Sequence, residues 1–579
     1  MRFVIVTCAL LFGGAVAAQQ AADAVAPEVS TGAEMGMSGP VEAQDWMIAV
    51  ANPLAVRAGA DVLRDGGTAA DAMVAVQAVL GLVEPQSSGL GGGAFLVWYD
   101  AGSGALTTLD GRETAPLEAT PRLFQDTQGT PLKFFDAVIG GRSVGTPGTP
   151  ALMAEAHSRW GRKDWASLLE PAITLAQEGF AVSPRLAGLV ARDAERLATH
   201  PDTAAYFLPG GVPVQQGSLL RNPAYAETLR HLAQDGVEAF YTGEIARDIV
   251  TEVRGAAGNP GVLSQTDLAI YKIKERAPVC VPYREHEVCG MGPPSSGALT
   301  VGQILGMLNH HDLAVLGPGS PQAWRLIGDA SRLAFADRGR YMADSDFVPV
   351  PVKGLIADDY LAERAALLSG YRALDSVAPG APEYDHALNW GDDDAIERPS
   401  TSHVSIVDAD GNALSLTTTI ENAFGSRVMV RGFLLNNELT DFSFRSHRDG
   451  VPVANRVEPG KRPRSSMAPT IVMTDGVPRL VIGSPGGSRI IGYVAKTIIA
   501  WADWGMDIQS ALSYPHAVNR FGTYDLEAGT SAEALQAPLE ALGYKTSVRD
   551  LNSGLHAIEI GHTLKGAADP RREGIAIGE

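Results

Sequence analysis

The residues most suited to chemistry stand together at Ser400-Thr401-Ser402-His403. A hydroxyl residue opens an apolar, alternating run, Val404 to Asp408, directly after an acidic, proline-containing run, Asp392-Asp393-Asp394-Ala395-Ile396-Glu397-Arg398-Pro399. This pattern reads as the end of a flexible segment meeting the first residue of a buried strand. A chain cut between Ser400 and Thr401 would make Thr401 a new N-terminus. A hydroxyl is a weak nucleophile near neutral pH and needs a base. A free α-amine, with a pKa of about 7.7–8.0, supplies one on the same residue. Before the cut that nitrogen is an amide and takes no proton, so cleavage acts as an on-switch. The residues alone leave a second reading open, an ordinary β-branched residue at a strand start.

Other stretches carry chemistry of the same kind. Gly486-Gly487 sits between a strand, Leu480 to Gly483, and a helix, Ile490 to Trp501. Backbone N–H groups there are unobstructed by side chains and suit a developing oxyanion; a tight turn would also account for the glycines. Arg112 follows the strand Ala105 to Leu109 and can point into a cleft or out to solvent. Ser465 and Ser466 can hydrogen-bond a ligand, cap a helix or form a turn. The cluster Gly89-Leu90-Gly91-Gly92-Gly93 lacks phosphate-loop spacing and precedes a strand. Its glycines fit close backbone packing near a site. Cys280 and Cys289 flank a short hairpin and either pair or remain two small core residues. No second Cys/His pair nearby suggests a metal.

Positioning such groups takes a large core, and 579 residues with 45% hydrophobic content can build one. The formal net charge of −20 argues against nucleic acid, because phosphate binding needs basic patches. Arg2, the apolar run Phe3 to Val16 and the small residues 15–18 read as a signal peptide over 1–18, hence export to the periplasm or medium. That run is shorter than the ~20 residues of a spanning helix, so no stable membrane anchor is expected. Residues 19–44 read as a disordered leader. Helical spacing marks Ala55 to Leu63, Asp71 to Val83, Ala151 to Gly179, Leu186 to Leu197, Tyr225 to Ala233, Ala298 to Leu308 with Ser296 as N-cap, and Trp324 to Ala336. Ser376 to Ser400 reads as an acidic loop. Beyond it, Val404 to Asp408 and Ala413 to Thr419 form a hairpin signal around Asp410-Gly411-Asn412, with further strands at Leu434-Leu435, Thr470 to Met473 and Leu480 to Gly483. Antiparallel pairs with helices before and after fit helices packed on both faces of two stacked sheets.

Seven motifs, in order, carry a family resemblance over roughly Ala49 to Gly574: Gly89-Leu90-Gly91-Gly92-Gly93, Asp110-Gly111-Arg112-Glu113, Thr401-Ser402-His403, Leu435-Asn436-Asn437-Glu438 with Asp441-Phe442-Ser443, Lys461-Arg462-Pro463 with Ser465-Ser466-Met467, Gly483 to Arg489, and Ala568-Asp569-Pro570-Arg571-Arg572. The sequence resembles the γ-glutamyltranspeptidases, which are N-terminal-nucleophile hydrolases. The resemblance implies an αββα sandwich and a precursor cut before Thr401 into a large subunit, 45–400, and a small one, 401–579, that stay together as a heterodimer. It implies an acyl enzyme on Thr401, formed from glutathione and other γ-glutamyl compounds and passed to water, amino acids or peptides. Thr419 would orient the nucleophile and assist self-cleavage, and Gly486 and Gly487 would form the oxyanion hole. Arg112, Ser465 and Ser466 would hold the donor carboxylate. Glu421, Glu438 and Asp441 would hold its ammonium. His403 would play a supporting part, and no cofactor or metal is expected.

Two departures bear on substrate. Glu421 stands where many members have Asn, and the segments Arg427 to Gly432 and Phe444 to Arg456 look shorter than in members with a lid. A reduced lid would leave the cleft open to bulkier substrates. Two other readings compete: a cephalosporin- or glutaryl-type acylase of the same family, and an exported binding protein that no longer matures. The retained Arg112, Glu421 and Asp441 weigh against the first, since a glutaryl group has no ammonium. The intact Thr401, Thr419 and Gly486-Gly487 weigh against the second.

Overall fold

The computed structural model describes residues 39–386, 388–393, 395 and 397–579. The signal peptide expected at 1–18 and residues 19–38 of the leader lie outside the described residues. In chain order the strands of the two large sheets are β1 (Val41–Ala43), β2 (Met47–Val50), β3 (Gly93–Asp100), β4 (Ala105–Gly111), β5 (Lys274–Arg276), β6 (Val279–Tyr283) and β7 (His286–Gly290). After residue 400 come β8 (Ser402–Val407), β9 (Ala413–Thr419), β10 (Thr470–Thr474), β11 (Val477–Gly483), β12 (His556–Ile560), β13 (Leu564–Ala568) and β14 (Ile575–Gly578). One seven-stranded sheet runs β1-β13-β12-β11-β10-β7-β6, the other β14-β2-β8-β9-β3-β4-β5. β1 falls inside the stretch read as a disordered leader: its backbone completes the edge of a sheet by pairing with β13, which no apolar pattern advertises.

Side-chain alternation sorts these strands into three cores. Between the sheets lie Met47 and Ala49 of β2, Val97 and Tyr99 of β3, Ile471 and Met473 of β10, Val481 of β11 and Ile558 of β12. Ile48 and Val50, and Leu96 and Trp98, face outward onto helices α1 (Pro53–Arg64), α2 (Ala69–Val83), α3 (Thr149–Trp160) and α4 (Trp165–Glu178). Val472, Leu480 and Ile482 face the opposite helical layer, α5 (Gly297–Leu308), α6 (Pro321–Tyr341) and α7 (Ile490–Ala502). Every residue of α2 and of α5 is buried, as expected of helices apolar all round. The expected αββα sandwich is therefore the fold.

Polar groups also cross between the sheets. His403 sits against Gly483, with Nδ1 2.9 Å from Thr417 Oγ1 and Nε2 3.0 Å from Ser405 Oγ. Burial holds it well below the usual imidazole pKa, so it is a neutral strut between the sheets. Cys280 and Cys289 face each other across β6 and β7 and are joined as a disulfide. Ser296 stands before α5 but makes no capping bond. Its hydroxyl donates instead to the Ser465 carbonyl at 2.6 Å, because its backbone is already helical and points the side chain away.

The two sequence halves on either side of residue 400 share both sheets. β8 pairs with β2, β9 with β3, and β10 with β7. A cut at that position leaves these ladders and the cores around them intact.

Candidate active site

Strand register brings Thr401, Thr419 and Arg112 to one end of one sheet. Ser402 lies opposite Thr418, Thr419 opposite Gly93, and Ala94 opposite Gly111. Thr401, Thr419 and Arg112 therefore emerge side by side. The glycines explain how closely the backbones approach: a Cβ on Gly92 would lie 2.0 Å from the Thr419 carbonyl oxygen, and one on Gly91 2.1 Å from that of Leu434. The cluster serves packing beneath the site, as its spacing predicts.

The Ser400–Thr401 peptide is intact and its carbonyl is the focus of two hydroxyls. Thr401 Oγ1 donates to the Ser400 carbonyl oxygen, and Thr419 Oγ1 donates to the same oxygen at 2.9 Å. Thr419 Oγ1 in turn accepts from the Glu421 backbone N–H at 2.9 Å, which fixes the direction of its proton. The two threonine oxygens are 3.5 Å apart. Ser400 Oγ donates to the Gln86 carbonyl at 2.7 Å, and Arg572 Nη1 donates to the Thr401 carbonyl at 3.0 Å, clamping both sides of the peptide.

Arg112 is fully buried and its fork is occupied. It pairs with Glu438 through Nη1 and with Asp441 through Nη2, and donates to the carbonyls of Pro463 and Arg464 at 3.2 and 2.9 Å. Glu113 lies 4.0 Å away and shares a hydrogen bond with the Glu438 carboxyl. Three buried carboxyls around one guanidinium cannot all ionise cheaply. Burial, opposed by Arg112, pushes Glu438, Asp441 and Glu113 up, Glu113 to about 8. Burial likewise pushes Glu421 up to about 7, against hydrogen bonds from Asn437 and from the Arg398 N–H.

A carboxyl raised in this way gives stability that is present below its unfolded pKa and lost as pH rises through its folded one. For Glu113 the loss runs from the ordinary carboxyl range up to about 8. On an uncut Thr401→Ala background, Glu113→Gln should flatten the fall in melting temperature between about pH 5 and about pH 9. Parallel melting curves for the two chains would show that Glu113 does not titrate there.

Except for Gly486 and His403, every predicted site residue lines one small cavity, which also contains Glu397, Arg398, Met467 and Ile490. Gly486 lies directly beside it, and both glycines hold positive φ, 138° and 59°. A Cβ on Gly487 would meet the Arg398 carbonyl at 2.8 Å. The cavity volume is about 20 Å³, room for about one water molecule. Glu397, Arg398 and Ser400 form part of its wall. Neither segment read as a shortened lid lines the cavity: 427–432 carries a buried strand, Met429–Val430, and 447–452 forms a surface ribbon.

The sequence reading missed Glu397, Arg338 and Arg464. The described residues of the acidic run, 392, 393, 395 and 397–399, form a loop, as expected, and three of them are held by ion pairs. Asp392 pairs with Arg340 at 2.8 Å, Asp393 with Arg464 at 2.9 Å, and Glu397 with Arg338. The signal was the charge run itself, whose arginine partners are remote in sequence.

A family model described as Gamma-glutamyltranspeptidase matches residues 55–579. The chain is 37% identical over 551 residues to the glutathione hydrolase proenzyme of Bacillus subtilis (strain 168), covering 92% of each protein. It is 37% identical over 582 residues to the glutathione hydrolase proenzyme of Escherichia coli (strain K12), covering 97% of this chain and 96% of that one. Among solved structures, the cephalosporin acylase from Bacillus halodurans superposes with a TM-score of 0.82 at 25% identity, covering 94% of this chain and 97% of that one.

Proposed function

The chain belongs to the gamma-glutamyltranspeptidase family, and we propose that it cuts itself between Ser400 and Thr401 and then transfers γ-glutamyl groups through Thr401. The observation that carries this reading is the pair of threonine hydroxyls on the Ser400 carbonyl. Attack of Thr401 Oγ1 on the Ser400 carbonyl carbon forms a C–O bond. Thr419 donates to the oxyanion as it develops. The C–N bond then breaks and the hydroxyl proton ends on the Thr401 nitrogen. Water opens the resulting ester, leaving a Ser400 carboxylate and a free α-amine on Thr401.

That amine is the base for the second reaction. It takes the proton of Oγ1 as the oxygen attacks a donor γ-carbonyl, while N–H groups at Gly486 and Gly487 receive the oxyanion. The γ-glutamyl ester on Thr401 passes to water, giving hydrolysis, or to an amino acid or peptide, giving transfer. Arg112 with Ser465 and Ser466 would hold the donor carboxylate, and Glu421, Glu438 and Asp441 its ammonium. Release of amine from a γ-glutamyl anilide by the purified protein tests the reading; no release from a fully cut preparation would refute it. Export fits the signal-like N-terminus, and among the described residues no helix is long and apolar enough to cross a membrane.

Thr419 should matter most at the first step. Removing one oxyanion donor costs about 10²–10³-fold in rate. Thr419→Val should slow self-cleavage by that factor, with Thr419→Ser largely restoring it, as read from the appearance of two bands on denaturing gels over time.

The likeness to a cephalosporin acylase supports a second reading, an acylase acting on glutaryl-type side chains. The carboxyls of Glu421, Glu438 and Asp441 favour a donor with an ammonium group. Rates with matched glutaryl and γ-glutamyl donors decide: a faster glutaryl donor would select the acylase.

A further inference from the structure

A cavity of about 180 Å³ lies apart from the cleft around Thr401 and shares no lining residue with it. Leu117, Ile270 and Phe347 line it with 48%, 55% and 41% of their surface exposed. Leu117 and Phe347 approach each other over the bare backbone of Gly460, where a Cβ would lie 3.8 Å from the Phe347 ring and 4.0 Å from the Leu117 side chain. Single apolar residues are normal on a surface, whereas three around one concavity mark a binding site. The volume suits one ring, since a dry apolar cavity of about 150 Å³ takes up benzene. The same cavity has a cationic side. Arg462 is 2% exposed; its Nη1 pairs with Asp110 and its Nη2 donates to the Lys272 carbonyl at 2.7 Å, but its buried Nε has no hydrogen-bond partner. Lys272 is exposed, and its ammonium has no ion-pair partner among the described residues. Lys274 is paired with Asp346 at 2.5 Å. Two acids also line the cavity, and every oxygen of both is hydrogen-bonded. Asp267 accepts from the Leu117 N–H at 2.7 Å and from Ser264 at 2.8 and 2.7 Å. Asp344 accepts from the N–H groups of Arg462 and Asp346 at 2.9 and 3.1 Å. The groups left over are therefore donors, and both carry positive charge.

We infer that this cavity binds a small carboxylate carried on a ring-sized apolar group, with the apolar group among Leu117, Ile270 and Phe347 and the carboxylate at Lys272 and Arg462. Hydrogen bonds from charged donors to a carboxylate are the strong ones. The walls are already fixed. The Arg462 guanidinium lies 5.8 Å from the centre of the Tyr271 ring, and the Tyr271 hydroxyl donates to the Arg112 carbonyl at 2.9 Å. Groups held in place before binding cost little to order. The chain as a whole, at a formal net charge of −20, repels anions, so an anion that binds must find a local cationic site. The inference goes beyond the reaction proposed for Thr401 and does not depend on it.

The test is a fluorine NMR titration of para-fluorophenylacetate, and of its neutral amide, with the full-length Thr401→Ala chain. The cleft of the uncut chain has room for about one water and does not compete for either compound. The acid should bind about tenfold more tightly than the amide, the difference expected of a hydrogen bond to a charged group. Lys272→Glu should remove most of that difference and leave the amide unmoved. Arg462→Lys keeps the charge beside Asp110, loses Nε, and should also weaken the acid alone. Phe347→Ala should weaken both compounds. Lys272 and Phe347 are exposed, so their variants carry the test even where Arg462→Lys does not fold. No binding of the acid, equal binding of acid and amide, or acid binding unmoved by both Lys272→Glu and Phe347→Ala would overturn the inference.

Discussion

The Thr401→Ala chain should remain in one piece and release no amine from a γ-glutamyl anilide. Both outcomes have one cause. The Thr401 hydroxyl is the group that lies on the Ser400 carbonyl, and without it nothing on that side can form the ester that breaks the peptide. The nitrogen of residue 401 then stays an amide, so neither nucleophile nor base exists for the second reaction. Knocking out a nucleophile in other hydrolases costs roughly 10⁶-fold in kcat, and a loss of that order is expected here. Thr401→Ser keeps the hydroxyl and the future amine and should still mature. Two bands from the alanine chain would show that the cut uses another group.

Arg112→Leu should be the most damaging change away from the nucleophile. The guanidinium is the shared partner of Glu438 and Asp441 and the nearest cation to Glu113. Removing one partner of a buried ion pair typically costs about 3–5 kcal/mol. On the uncut Thr401→Ala background, urea unfolding at alkaline pH, where the raised carboxyls have given up their protons, should report a loss of that size. The loss should shrink in acid, where the carboxyls hold their protons and no longer need the cation. Arg112→Lys should recover little, since a single ammonium cannot span two carboxylates as the fork does. A variant as stable as its parent would show that the carboxyls are already neutral.

The sequence made the reacting groups legible because each sits at the end of a regular element. Thr401 precedes β8, Thr419 ends β9, Arg112 follows β4, and Gly486-Gly487 links β11 to α7. Two strands that alternate in pattern and are joined by Asp410-Gly411-Asn412 place the threonines together through register alone. The pairing of Cys280 with Cys289 stayed open on the residues, since spacing across a hairpin is compatible with either state. What stayed hidden depends on contacts between segments far apart. Arg338 on α6 and Arg464 in a loop meet Glu397 across separations of 59 and 67 residues, and no local pattern marks such an encounter. The same applies to the occupied fork of Arg112. The family resemblance implies a substrate carboxylate for Arg112 and an ammonium for Glu438 and Asp441, whereas the uncut chain satisfies the three against one another.

Intact mass analysis of the purified protein should find two chains that copurify, the smaller one being residues 401–579 with Thr401 first. A single full-length chain in an active preparation, or a break at any other peptide bond, would contradict self-cleavage before Thr401.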